Sequence, residues 1–201
     1  MINSIDRSGR CAEMRLEEVR EMIDGLDLQL KDLLMKRFDC SLEVAKAKAA
    51  AGETAIFRPE REAEIIRRLL EGVPGDRAAA YAAVVKKIME ASRMYQYGRL
   101  FEWDPDLFPG LPEGVSPAPD GKRVVFRLTR PNRPNAMSSI LCMIGDHGYN
   151  MERMELTGYP EDGKQVSFEL TVLGNLEDEN LRKLMFQLSM ESGDFRIVRA
   201  E

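Results

Sequence analysis

Polar residues interrupt the apolar stripes of two helices in this sequence, and their types suit the gripping of a small anion. From Leu16 the apolar positions Leu16, Val19, Ile23, Leu26, Leu30 and Leu33 advance by alternating steps of three and four, the spacing of a long helix packed along a seam. The same steps reach positions occupied by Arg37, Cys40 and Val44. A core-facing arginine is costly to bury unless an anion or an internal carboxylate meets it. Arg37 therefore indicates a ligand site or a buried ion pair, the plainer alternative being an arginine that snorkels at a helix edge. Lys48 follows eleven residues later, which returns to within about 20° of the same face, roughly 16 Å along the axis. Two long cationic side chains so placed can hold opposite ends of one small molecule.

A second interruption lies near residue 90. Tyr81, Val84, Val85, Ile88 and Met89 form an inward stripe that continues as Ser92 and Gln96, one turn apart on one face. Each could be a satisfied core polar group, although their coincidence with Arg37 and Lys48 favours a shared site. Arg61 and Glu62 follow Pro59 in a first helical turn, where the macrodipole favours Glu62 but not Arg61. Alone, these two and Arg20 read as solvated surface residues.

Three helices must position these groups. The first runs from Leu16 to about Ala51, with Gly52 as a stop. Arg58-Pro59 opens the second, which carries Ile65, Ile66, Leu69 and Leu70 and ends at Glu71 to Gly75. The third spans roughly Arg77 to Leu100. Residues 101–121 hold five prolines and three glycines, a composition that resists helix and sheet. Beyond it the period changes: a strand at Lys122 to Thr129, a helix at Ala136 to Tyr149, and strands at Asn150 to Thr157 and Gln165 to Leu173. A helix at Glu177 to Ser192 and a strand at Phe195 to Ala200 complete a βαββαβ, ferredoxin-like order. The chain thus reads as multidomain, α then α+β, with a helical domain at 1–100, a linker at 101–121 and a second domain at 122–201.

Composition bounds the function. The 201 residues carry 29 Lys and Arg against 34 Asp and Glu, a net charge of −5, so any cationic site is local and nucleic acid is not an expected partner. Cys11, Cys40 and Cys142 are odd in number and widely spaced, which fits a reducing cytoplasm and neither a disulfide framework nor a metal site. No apolar run approaches a membrane span and no signal peptide is expected. The single histidine, His147, makes Ser-His-Asp chemistry improbable and, beside Gly148, reads as a helix C-terminal residue. No metal or cofactor is expected.

Across the first hundred residues the sequence resembles the all-helical class of chorismate mutases, three-helix chains that form intertwined dimers around two active sites. The resemblance rests on Leu16 to Asp27 with Arg20, Leu33 to Arg37, Val44 to Lys48, Pro59 to Glu64, and Ser92 with Gln96. It implies that Arg20 and Arg37 clamp the substrate's two carboxylates, that Lys48 and Gln96 meet the ether oxygen, that Arg61 and Ser92 support carboxylate binding, and that Glu62 accepts the ring hydroxyl. Arg20 and Arg37 are seventeen residues apart, about 26 Å on one helix, so one must come from a partner subunit. Antiparallel pairing under two-fold symmetry would supply it. Arg58 stands where relatives often carry an acidic residue before the proline, which leaves the second helix without that cap.

From about Lys122 the chain resembles an ACT domain, a small module that binds amino acids. Pro134-Asn135-Ala136-Met137 sits where phenylalanine-binding members carry a Pro-Gly-Ala-Leu-like turn, and Asn150 to Glu155 resembles the start of their second strand, but the Glu-Ser-Arg-Pro motif is replaced by Glu155-Leu156-Thr157-Gly158. The resemblance implies an effector site at Asn135, Ala136, Met137 and Asn150 for phenylalanine or tyrosine. A domain that only strengthens the homodimer or docks a separate prephenate dehydratase is the alternative. Two rival functions share the helical fold: isochorismate-pyruvate lyase, and a non-catalytic amino-acid-sensing partner of a dehydratase. If Lys48 stabilises charge on the ether oxygen, Lys48→Ala will lose at least about 10²-fold in turnover, measured as chorismate disappearance.

Overall fold

A computed structural model describes residues 14–111, 120–158 and 163–201. Cys11 and positions 112–119 of the expected linker lie outside the described residues. The chain divides into two compact units, Met1–Cys40 and Ser41–Glu201, with the division falling inside the first helix.

The first helix, α1 (Leu16–Ala50), has 35 residues, and its Glu17 and Glu18, in the first unit, suit the positive end of its dipole. At roughly 52 Å it is long for a globular helix. Its seam residues Leu16, Ile23, Leu26, Leu30 and Leu33 are 49–62% exposed, a row of apolar side chains at the spacing of a packed interface.

The second unit begins where α1 buries Ser41 and Ala45. α2 (Pro59–Leu69) starts at proline as expected; its N-cap, Arg58, makes no capping bond, since a guanidinium has no acceptor to offer. Arg58 instead pairs with Glu53 at 3.2 Å. The apolar residues of α2 are at most half-buried. α3 (Gly75–Trp103) is longer at both ends than expected, and it buries Val85, Met89, Ser92, Arg93, Gln96, Tyr97, Leu100 and Phe101. Tyr81 and Val84, expected to face inward, are 38% and 55% exposed, because burial on α3 begins only at Val85.

The Pro-rich stretch does not lose structure at once. Its first residues finish α3, a 3-10 turn follows at Pro105–Leu107 with Asp104 accepting from the Asp106 amide, and Phe108 packs against two apolar clusters. Proline at the start of a helical turn forfeits no internal hydrogen bond there.

The remaining elements are β1 (Arg123–Pro131), α4 (Ala136–Asp146), β2 (Asn150–Gly158), β3 (Gln165–Leu173), α5 (Glu179–Glu191) and β4 (Gly193–Ala200). The strands form one antiparallel sheet in the order β2-β3-β1-β4, with Phe126 opposite Leu170 and Arg127 opposite Glu169. This is the ferredoxin-like arrangement expected from the sequence, with the mixed α and α+β class that follows. Alternation sends Val124, Phe126 and Leu128 of β1 and Val166, Phe168, Leu170 and Val172 of β3 into one core, where Leu181, Leu184, Met185 and Leu188 of α5 meet them. α4 stops three residues earlier than expected: His147 is its C-cap and Gly148 takes φ +82°, a left-handed turn that ends the helix. Cys40 and Cys142 are exposed free thiols. Among the described residues no helix is long and apolar enough to cross a membrane.

α5 also packs outward. Phe186, 1% exposed, meets the ring of Tyr97 edge-on at 5.7 Å and that of Phe101 at 6.0 Å, joining the sheet module to α3. Lys183 reinforces the contact by pairing with Glu102 at 2.6 Å. Phe186→Ala should lower unfolding stability by about 3–5 kcal/mol, read from urea denaturation of the full chain.

Candidate active site

Ser92 and Gln96 are buried on α3 as the interrupted stripe requires, at 4% and 8% exposure. Both are satisfied within the helix: Ser92 Oγ donates to the Ile88 carbonyl at 2.9 Å and Gln96 Nε2 to the Ser92 carbonyl at 3.1 Å. The Gln96 amide thus sits deep on α3, held by a bond that a ligand acceptor could replace.

Lys48 closes the last turn of α1. Its Nζ donates to the Ala55 carbonyl at 2.7 Å, tying the helix to the loop that leads to α2. Burial, then the neighbouring Arg58, pushes the Lys48 ammonium below its ordinary range, with Glu53 acting the other way. Arg61 remains on the surface of α2, paired with Glu64 at 2.7 Å, and both are more than half exposed. In the first unit, Arg20 is exposed and Arg37 half-buried, as suits their separate positions along α1.

Glu62 has a partner that its neighbours in sequence do not reveal. Its Oε1 accepts from Nη1 of Arg93 on α3 at 2.5 Å, and Arg93 Nε donates to Oε1 of Glu191 on α5 at 3.0 Å. The Arg93 guanidinium also lies over the Phe57 ring, 4.5 Å from its centroid. Glu191 accepts in addition from Gln187 Nε2 at 3.0 Å, and Gln187 Oε1 lies 3.0 Å from His147 Nε2. Arg130 of β1 donates to the Glu191 backbone carbonyl and, at 2.8 Å, to Ser139. Burial pushes the Glu62 carboxyl above the ordinary carboxylate range; Arg93 only partly offsets it, and the like charges of Glu191 and Glu90 add to the rise. For Arg93 the two carboxylates outweigh burial and hold it more firmly charged.

Arg93 and Glu191 were missed in the sequence, although a signal existed. Val85, Met89, Arg93 and Tyr97 follow at steps of four, as do Leu184 and Leu188 with Glu191 next at a step of three. The test that singled out Arg37 applies to both. Beside this cluster a cleft of about 420 Å³ is lined by Phe57, Glu62 and Arg93 on one side and Arg130, Asn135 and Ala136 on the other. Asn135 takes φ +70° ahead of α4. Met137 and Asn150 are both exposed and lie outside the cleft lining.

Arg58→Ala should raise the Lys48 pKa by removing a like charge, moving the deprotonation of the amine to higher pH. Nitrogen-detected NMR titration of the lysine side chain measures the shift, and an unmoved or lowered midpoint would contradict the assignment of Arg58 as a cause.

Residues 19–97 match the family model for chorismate mutase type II. A bifunctional chorismate mutase/prephenate dehydratase from Stutzerimonas stutzeri is 39% identical over 61 residues, covering 28% of this chain and 17% of the relative. Among solved structures, GqqA, described as a novel type of quorum quenching acylase, aligns with 25% identity and a TM-score of 0.39 over 46% of this chain and 45% of its own. Prephenate dehydratase from Arthrobacter aurescens in complex with L-Phe aligns with 19% identity and a TM-score of 0.39 over 44% and 29%. Most of the long α1, the proline-started α2 and the polar positions of α3 fall within the segment that matches the chorismate mutase type II family.

Proposed function

We propose that the chain converts chorismate to prephenate by a Claisen rearrangement in aromatic amino acid biosynthesis, acting as a cytoplasmic homodimer. The match of residues 19–97 to the chorismate mutase type II family carries this reading. Its domains are read as 1–100, the linker 101–121 and an ACT-like 122–201. The exposed seam of α1 supports the dimer, because a row of leucines and isoleucines at helical spacing is stabilised by burial against a second copy. Antiparallel pairing brings Arg20 of one copy to Arg37 of the other.

The chemistry asks for no nucleophile and no obligatory proton transfer. The substrate must be held folded, with its reacting ends in near-attack contact, a task for arginine clamps on its carboxylates. Arg20 and Arg37 take that role, supported by Arg61 and Ser92. As the ether bond breaks, negative charge grows on oxygen, and Lys48 and the Gln96 amide stabilise it more than the ground state. Glu62 accepts the ring hydroxyl. In the structure Lys48, Gln96 and Glu62 already have internal partners, so substrate must replace or share those bonds.

For the ACT-like domain we infer amino-acid feedback. The cleft at Asn135 and Ala136 supports this, since Arg130 and Arg133 offer cations to a carboxylate and Phe57 and Ile66 an apolar wall. A docked dehydratase is the competing role for the same surface.

Offered chorismate and isochorismate separately, the chain should form prephenate from the first and neither pyruvate nor salicylate from the second. Pyruvate release from isochorismate would replace this reading with the lyase. An equal mixture of Arg20→Ala and Arg37→Ala chains should regain about a quarter of wild-type turnover, because each heterodimer restores one of two sites. In calorimetry, phenylalanine or tyrosine should bind below about millimolar concentration, and silence would remove the feedback reading.

A further inference from the structure

Of the buried cluster around Arg93, only Glu62 has a part in the proposed rearrangement. Arg93 is 8% exposed, and the side chain of Glu191 is only 1% exposed. A guanidinium can serve two carboxylates from separate, fixed N–H directions, as Nη1 and Nε do here. Glu191 of α5 holds the guanidinium that meets Glu62, so a residue of α5 helps to fix the place of Glu62. Resting on the mutase reading, we propose that Arg93 is a positioning residue for the rearrangement. One of its N–H groups holds Glu62 at the substrate, Glu191 anchors another, and the ACT-like module thereby helps to complete the mutase site.

The groups that act on the Glu62 carboxyl have defined signs, and Lys86, Arg130 and Arg133 line the same cleft. Arg93 of α3 favours the ionised carboxylate, whereas Glu191 of α5 and Glu90 of α3 disfavour it. Arg130 of β1 lies behind, on the backbone carbonyl of Glu191. Arg93→Gln therefore raises the pH at which Glu62 ionises, and Glu191→Gln lowers it. The Glu191→Gln amide oxygen can keep both bonds now made by Oε1, to Arg93 Nε and Gln187 Nε2, so charge is removed with the packing retained. A role in folding alone would not produce shifts of opposite sign.

The test measures kcat/KM for chorismate against pH in the full-length chain, alongside carbon-detected NMR titration of the Glu62 carboxyl. Arg93→Gln should lower kcat/KM by about tenfold or more and move the acid limb up by about one pH unit. Arg93→Lys should restore the limb while leaving turnover reduced, and Glu191→Gln should move the limb down. Should Arg93→Gln fail to fold, the direction of the Glu191→Gln shift decides. An active wild type whose acid limb and Glu62 titration ignore both substitutions would overturn the proposal alone. A wild-type chain without prephenate formation would overturn the mutase reading and this proposal together.

Discussion

A buried guanidinium has to be paired, and in this chain that requirement ties together α2, α3 and α5. Stripping water from Arg93 costs several kcal/mol, which is recovered only when good partners surround it. Glu62, Glu191 and the Phe57 face provide them. The cluster is of limited value as a source of stability, since apolar groups of equal volume often serve as well. Its value lies in specification. Both carboxylates reach the guanidinium only where α2 and α5 meet α3 at Arg93, and Phe186 packs against Tyr97 and Phe101 on the same pair of helices, α3 and α5.

The two compact units contrast in how they satisfy their apolar surface. In Ser41–Glu201 the sheet and its two helices enclose a core whose members, from Val124 to Ile197, are almost completely buried. Along α1 the seam residues stay about half exposed. An isolated helix gains little from propensity alone, so a 35-residue element depends on packing for its stability. Under the proposed function that packing comes from a second copy, and Arg20 and Arg37 become parts of one site only through it.

At the candidate site, the polar groups are met by internal partners. Lys48 holds the Ala55 carbonyl, Gln96 its own helix, and Glu62 the Arg93 guanidinium. Such pairing avoids unsatisfied buried groups while keeping donors where charge would develop during a rearrangement. The nearby cleft is lined by Glu62 and Arg93 together with the turn at Asn135, so a ligand there would meet the charges around Glu62. This places the inferred feedback and the inferred chemistry on one set of side chains.

The sequence by itself determined the element types, their order and the change of period between the halves. It also placed Ser92 and Gln96 on a buried face, because helix and strand periodicity and proline punctuation act over a few residues. Segment ends were less legible: α3 runs on into the Pro-rich stretch, and α4 stops at His147 because Gly148 turns the chain. Tertiary structure alone decided that Glu62 meets Arg93 and that Glu191 anchors it, since Glu62 and Glu191 lie 31 and 98 residues from Arg93. It also separated Asn135 and Ala136, in the cleft, from Met137 and Asn150. Periodicity tells which way a side chain faces; what it finds there depends on elements distant in sequence, and for buried charge that partner decides the chemistry.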